Sequence, residues 1–128
     1  MSDIDSMRRL ADRFVAAVEN SDVESLDAIY TADAVVWRNY DRRAQPRDEN
    51  IAGISNFPAL FKAFKYTEIR RDFFPGGFVQ QHVVCGIKAG GEAFRVPVCM
   101  VIAVSDGRIA RIDEYFDSAQ DARPAGFR

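Results

Sequence analysis

The second half of the chain is a series of β-rich runs separated by turn signals, and this limits the possible folds more than any other feature. Tyr66 to Phe74 leads into Pro75-Gly76-Gly77, and Phe78 to Lys88 into Ala89-Gly90-Gly91. Ala93 to Val104 leads into Ser105-Asp106-Gly107, and Arg108 to Asp117 closes the series. Gly-, Pro- and Asp-containing breaks between runs rich in Val, Ile and aromatics read as the hairpins of an antiparallel meander. Pro97 has no N–H to give a ladder, which predicts an edge or a bulge in the third run.

The first half has a different period. Ile4, Met7, Leu10, Ala11, Phe14 and Val18 recur at helical spacing until Asn20-Ser21-Asp22. Ser21 with Glu24 three residues on predicts a capping box for a second helix carrying Val23, Leu26, Ile29 and Tyr30. Ala34 to Asn39 reads as a short strand, followed by a polar loop from Tyr40 to Asp48 with Arg42, Arg43 and Arg47. Ile51, Ile54, Leu60, Phe61 and Phe64 return to helical spacing, but Pro58 predicts a break near Asn56-Phe57 and a second helical piece. The order ααβαββββ predicts an α+β fold, with helices on one face of a curved sheet. Residues 1–117 form one domain on this reading, and 118–128 a polar C-terminal tail.

Both faces of the third run are apolar. Val96, Val98, Met100 and Ile102 share one side, and Cys99, Val101 and Ala103 the other. Helices can cover only one of them, so a homodimer through the outer sheet face is expected.

The closing run carries an acid in an unexpected place. Ala110, Ile112, Glu114 and Phe116 alternate onto one face, where Glu114 is the only polar group. A carboxylate there must be paired, neutral or turned to a cavity, since burying a bare charge is costly. This predicts an internal pocket with Phe116, Val84 and Met100 in its lining. His82, on a face with Phe78, Gln80 and Val84, is the expected acid–base partner of Glu114, because an imidazole beside a carboxylate titrates near neutral pH. Trp37 and Asn39 share a face with Val35, and are expected to supply an apolar wall and a polar anchor for the ligand. Arg111, Asp113 and Tyr115 fall on the opposite face unless a bulge reverses the alternation.

Composition narrows the partners. Seventeen Lys and Arg against nineteen Asp and Glu give a net charge of −2, so there is no basic footprint for nucleic acid or an anionic membrane. No run approaches a membrane span of about 20 apolar residues, and the acidic start Met1-Ser2-Asp3-Ile4-Asp5 is unlike a signal peptide, so the cytoplasm is the expected address. A single histidine and two separated cysteines, Cys85 and Cys99, predict no metal site and two reduced thiols. No cofactor is expected, and the expected ligand is a small hydrophobic molecule.

The order of elements, the closing Gly107-Arg108-Ile109 … Glu114-Tyr115-Phe116-Asp117 and the early Tyr30-Thr31-Ala32-Asp33-Ala34-Val35-Val36 resemble the nuclear transport factor 2-like superfamily, in particular its SnoaL-like branch. The resemblance covers essentially the whole chain and implies a cone, a mostly antiparallel curved sheet wrapped around a deep pocket, often in dimers. It also implies a family containing polyketide cyclases, ketosteroid isomerases and limonene-epoxide hydrolases. One catalytic aspartate of the epoxide hydrolases falls on Glu114, their arginine approximately on His82 and their other aspartate on Val84. Their water-holding tyrosine and asparagine fall on Trp37 and Asn39, of which only Asn39 is retained. The base of the isomerases falls near Arg38, and their oxyanion-hole aspartate near Met100. The expectation is therefore a cofactor-independent acid–base enzyme doing isomerisation, cyclisation, dehydration or hydrolysis. The alternatives are a non-catalytic small-ligand binder and a dimerisation or interaction domain with a vestigial pocket.

Overall fold

A computed structural model describes residues 3–117. Helix α1 (Asp3–Glu19) buries Met7, Leu10, Ala11, Phe14, Val15, Ala17 and Val18, the stripe its periodicity predicts. Ser21, at φ 51°, turns the chain. The cap of α2 (Val23–Ile29) is Asp22 rather than the expected Ser21: its carboxylate accepts from the Ser25 N–H at 3.1 Å. Strand β1 (Tyr30–Arg38) follows directly, and β2 (Ala44–Pro46) is a short antiparallel partner formed inside the stretch expected to be loop.

Helix α3 (Arg47–Ser55) buries Asn50, Ile51 and Ile54, and a one-turn α4 (Phe57–Leu60) carries Pro58 in its first turn, as the predicted break requires. Phe61 and Phe64, expected on that helix, instead open the long strand β3 (Phe61–Phe74). Their three-residue spacing comes from a register shift between Phe61 and Ala63, which lets both rings pack with Phe57 on one side. The meander then runs through β4 (Gly77–Lys88), β5 (Ala93–Ser105) and β6 (Arg108–Phe116). Its turns use residues suited to them. Gly76 sits at φ 90° after Pro75, and Asp106 and Gly107 both have φ above zero, at 51° and 73°, as a two-residue hairpin turn needs.

The sheet order is β2-β1-β6-β5-β4-β3, antiparallel throughout except for the parallel pair β1 and β6. Pro97 sits in regular register opposite Val83, but just beyond the last β6 partner of β5 at Val98. Its missing N–H therefore costs no bond to β6, which is the edge form of the expectation. The core fills the concave side, where Leu26, Ile29, Tyr30, Phe78, Ile102, Ile109 and Ile112 are buried against α1 and α2. A bulge does occur in β6, between the pairs Ala103–Arg111 and Val104–Ile109. It lies before Ile112, so it turns Ile109 inward and leaves Glu114 on the inner face. The predicted tail, 118–128, lies outside the described residues.

Candidate functional site

The concave face and the helices enclose a cavity of about 90 Å³. Its apolar lining comes from Phe14 and Val18 of α1, Ile54 of α3, Phe57 of α4 and inward residues of every long strand. Val84, Met100, Phe116 and Glu114 are all in this lining, as the alternation of their strands requires. The volume is well below the roughly 300 Å³ at which pockets for drug-sized ligands begin.

Glu114 is paired, but not with His82. In the parallel ladder Arg38 lies directly beside Glu114, and both side chains point inward. The Arg38 Nε donates to Glu114 Oε1 at 2.8 Å, with the two side chains only 16% and 14% exposed. Burial works against the Arg38 charge, but the Glu114 carboxylate more than offsets this and raises the arginine above its ordinary value. The pair continues into a chain of neutral groups. Arg38 Nη1 donates to Gln45 Oε1 at 2.9 Å, Asn50 Nδ2 donates to the same oxygen at 3.1 Å, and the Tyr30 hydroxyl donates to Asn50 Oδ1 at 2.7 Å. Short strand β2 exists to this end, since it puts Gln45 beside Val36 on β1 and within reach of Arg38.

His82 is buried on the inner face of β4 and stacks flat on Tyr66, with ring centroids 4.1 Å apart and an interplanar angle of 10°. Its hydrogen-bond partner is Gln80, at 3.1 Å from Nδ1, not Glu114. Gln80 Oε1 accepts from Arg71 Nε at 2.9 Å, and Arg71 Nη1 reaches Asp12 on α1 at 2.7 Å. With its oxygen engaged, the Gln80 amide presents N–H to His82 Nδ1, which puts the imidazole proton on Nε2. That Nε2 is buried and has no partner among the described residues. Burial pushes the imidazole down to about 4, with the Glu114 charge opposing the shift and Arg71 adding to it. At neutral pH His82 is therefore a neutral ring behind Tyr66, and it takes no part in lining the cavity.

Trp37 and Asn39 lie elsewhere too. Val36 and Arg38 take the inner face of β1, so Trp37 points outward and packs on Tyr115 at 5.4 Å between centroids. Asn39 extends the parallel ladder with its side chain: Nδ2 donates to the Phe116 carbonyl at 3.0 Å and Oδ1 accepts from the Phe116 N–H at 3.1 Å. It fixes the strand end that carries Glu114 rather than facing a ligand. Of the loop arginines, Arg47 turns back to Asp27 and the end of α2, and Arg43 to Glu49.

The residues that sequence reasoning missed are Arg38, Gln45, Asn50, Tyr30 and Tyr66. A faint signal existed for Arg38. Ala34, Val36 and Arg38 alternate as cleanly as Val35, Trp37 and Asn39, and an acid on an apolar face asks for a cation.

Beneath the outer face is a shallow groove of about 670 Å³, bordered by Ile69, Gln81, Val83, Pro97, Cys99 and Tyr115. Among the described residues there is no cluster of three or more His, Cys, Asp or Glu side chains able to hold a metal ion, and no helix is long and apolar enough to cross a membrane.

Comparison with known proteins follows the same lines. The profile of the SnoaL-like domain matches residues 11–112. No curated protein matches the chain by sequence. Among solved structures, the chain is similar to an LEH-like epoxide hydrolase from M. tuberculosis, at 22% identity and a TM-score of 0.77, over 90% of this chain and 85% of that one. A protein provisionally classed as a polyketide cyclase from Xanthomonas campestris pv. campestris superposes with a TM-score of 0.79 at 18% identity, over 93% and 98% of the two chains. A protein with a ketosteroid isomerase-like fold from Catenulispora acidiphila, solved with trimethylamine, gives 0.75 at 16% identity, over 91% and 94%. At these identities the likeness is one of fold.

Proposed function

The chain belongs to the SnoaL-like domain family, and on that premise we propose that it is a small-molecule enzyme in which Glu114 moves protons within the apolar cavity. The observation that carries this reading is the Arg38–Glu114 pair set into an otherwise apolar wall. Arg38 occupies one carboxylate oxygen, and among the described residues nothing donates to Oε2. A carboxylate with one open oxygen among apolar side chains is suited to act as a general base. The reaction class is proton transfer, such as isomerisation, cyclisation, dehydration or hydrolysis, without a cofactor. The epoxide hydrolase mechanism fits poorly, since Glu114 is the sole carboxylate in the lining among the described residues. The ketosteroid isomerase arrangement fits worse, with arginine where that base would stand and Met100 in place of the second acid.

A panel of small ketones, epoxides and polyketide-like substrates on wild type and Glu114→Gln tests the reading. Turnover that Glu114→Gln removes without loss of fold supports it; turnover indifferent to the substitution refutes it. A second reading rests on the small volume of the cavity: a binder without catalysis would hold the same ligands in both proteins and turn over none.

The outer groove supports a homodimer through that sheet face, with Val83, Cys99 and Tyr115 in its lining and Trp37 packed on Tyr115. Sedimentation at micromolar concentration should give twice the chain mass, and Tyr115→Lys should give the monomer.

A further inference from the structure

Helix α1 and the edge strand β3 meet along a seam that borders the cavity, with Phe14 and Val18 on one side of it and Phe64 and Tyr66 on the other. Two carboxylates of α1 hold this seam. Asp12 accepts from Arg71 Nη1 at 2.7 Å, and Glu19 accepts the main-chain N–H of Tyr66 at 2.9 Å. The two tethers are joined inside the sheet. Arg71 Nε donates to Gln80 Oε1 at 2.9 Å, Gln80 Nε2 donates to His82 Nδ1 at 3.1 Å, and His82 stacks on the Tyr66 ring at 4.1 Å. The circuit begins and ends on α1, and His82 is its turning point.

Only a neutral imidazole fits this circuit. The Gln80 oxygen is held by Arg71, so Gln80 can offer His82 only an N–H, which needs the lone pair of Nδ1. A proton on Nδ1 sets two donors against each other. Turning the Gln80 amide round would give His82 the oxygen but leave Arg71 facing the Gln80 N–H. A proton on His82 therefore breaks the circuit at one joint or the other. Burial opposes that proton most, the Glu114 charge across β5 favours it, and Arg71 on β3 opposes it. From the other packed elements, β5 turns Val96, Val98 and Met100 inward, Glu68 of β3 is paired with Arg95, the buried Tyr66 phenol stays neutral, and α1 brings Asp12 and Glu19.

Strand β3 is also weakest beside His82. Thr67 pairs with Val83 and Arg70 with Gln81, which leaves Glu68, at φ 53°, and Ile69 as a bulge opposite His82. The ladder is interrupted there, between the tether at Tyr66 and the tether at Arg71.

We propose that the α1–β3 seam is the entrance of the cavity and that His82 is its latch: protonation of His82 breaks the circuit, loosens the hold of Arg71 and Tyr66 on α1, and opens the cavity to small apolar molecules as the pH falls from 7 toward 5. The inference does not depend on proton transfer by Glu114.

Amide hydrogen exchange and xenon NMR test this on the full chain at pH 7 and pH 5, where ordinary carboxylates stay ionised. The amides of Tyr66 and of Phe14 to Val18 report on the seam, and those of Ile102 and Ile112 on unfolding of the whole domain. Seam amides should exchange faster than Ile102 and Ile112 at both pH values. With an imidazole at 6.5 in the open state and about 4 in the closed one, their protection, corrected for intrinsic rates, should fall about twentyfold from pH 7 to pH 5. Xenon should enter and leave the cavity faster at pH 5. His82→Phe keeps the stack without titrating, and His82→Gln keeps an acceptor for Gln80 without titrating. Either should cut the fall to about twofold or less and remove the xenon response. Asp12→Asn and Glu19→Gln should each speed seam exchange at pH 7 by about fivefold, the worth of one hydrogen bond, and keep the fall toward pH 5. Seam amides that exchange only at the rate of Ile102 and Ile112 overturn the entrance. A fall that survives in both His82 variants overturns the latch. Xenon exchange indifferent to pH overturns the proposal even if the amides respond.

Discussion

The two walls of the cavity are built on opposite principles. On the β1–β6 side, Arg38, Glu114, Gln45, Asn50 and Tyr30 form one continuous hydrogen-bonded chain with nearly every group engaged. On the β3–β4 side aromatic rings dominate, the flat Tyr66–His82 stack among them, and the buried Nε2 of His82 has no hydrogen-bond partner among the described residues. A buried ion pair is costly unless other hydrogen bonds support it, and the chain through Gln45, Asn50 and Tyr30 gives that support on the Arg38 side while Glu114 Oε2 stays open. An unsatisfied buried group costs stability, and here that cost falls on a ring set behind the cavity wall. One wall secures a charge; the other offers contact.

The comparison can be broken at either wall. The largest effect should come from Glu114→Gln, with proton-transfer activity falling by about a hundredfold to ten-thousandfold. Arg38→Met removes the other half of the pair and should cost about 3 kcal/mol of stability in urea unfolding, because it leaves the carboxylate without its countercharge. The double variant Arg38→Met/Glu114→Leu should recover most of that loss, since it removes the charge as well as its partner. If the single variant costs nothing, the first wall is not the tight network described.

The second wall should respond to acid. His82 titrates near 6.5 in an unfolded chain and at about 4 in the fold, so the unfolded state binds the extra proton between these values. Stability contributed by the neutral imidazole is therefore complete above pH 6.5 and lost as the pH falls toward 4, by up to about 3 kcal/mol. His82→Phe should flatten the stability profile over that window. A wild-type profile already flat there would mean that His82 is not buried neutral. The smallest effect should come from Asn39→Ala, which loses two hydrogen bonds to the Phe116 backbone at the end of β6. About 1–2 kcal/mol of stability should go, with the chemistry of the cavity kept.

Much of the fold was legible because its signals are local. The turn chemistry at Pro75-Gly76 and Asp106-Gly107 and the stripe of α1 each specify an element without reference to the rest of the chain. Alternation in β6 sufficed to turn Glu114 inward, and alternation in β4 and β5 to put Val84 and Met100 beside the same cavity. What could not be read is register between distant strands. Arg38 meets Glu114 only because β1 and β6 pair in parallel, 76 residues apart, and no local pattern announces that pairing. The same gap sent Trp37 to the wrong face: both alternations of β1 are half apolar, and the larger side chain was the misleading one. His82 was paired with Glu114 on chemistry alone, although the strand β5 stands between their strands. Phe61 and Phe64 mimicked a helix because a bulge in β3 copies helical spacing.

The central claim is that Glu114 accepts a proton from a ligand inside the cavity. It is tested most directly by following α-hydrogen exchange of cyclopentanone in D2O by NMR, with wild type and Glu114→Gln at equal concentration and with folding checked by circular dichroism. The account predicts exchange above the buffer rate for wild type, and exchange at the buffer rate for the folded Glu114→Gln variant. Equal exchange by the two proteins, or none above buffer by wild type, would contradict it.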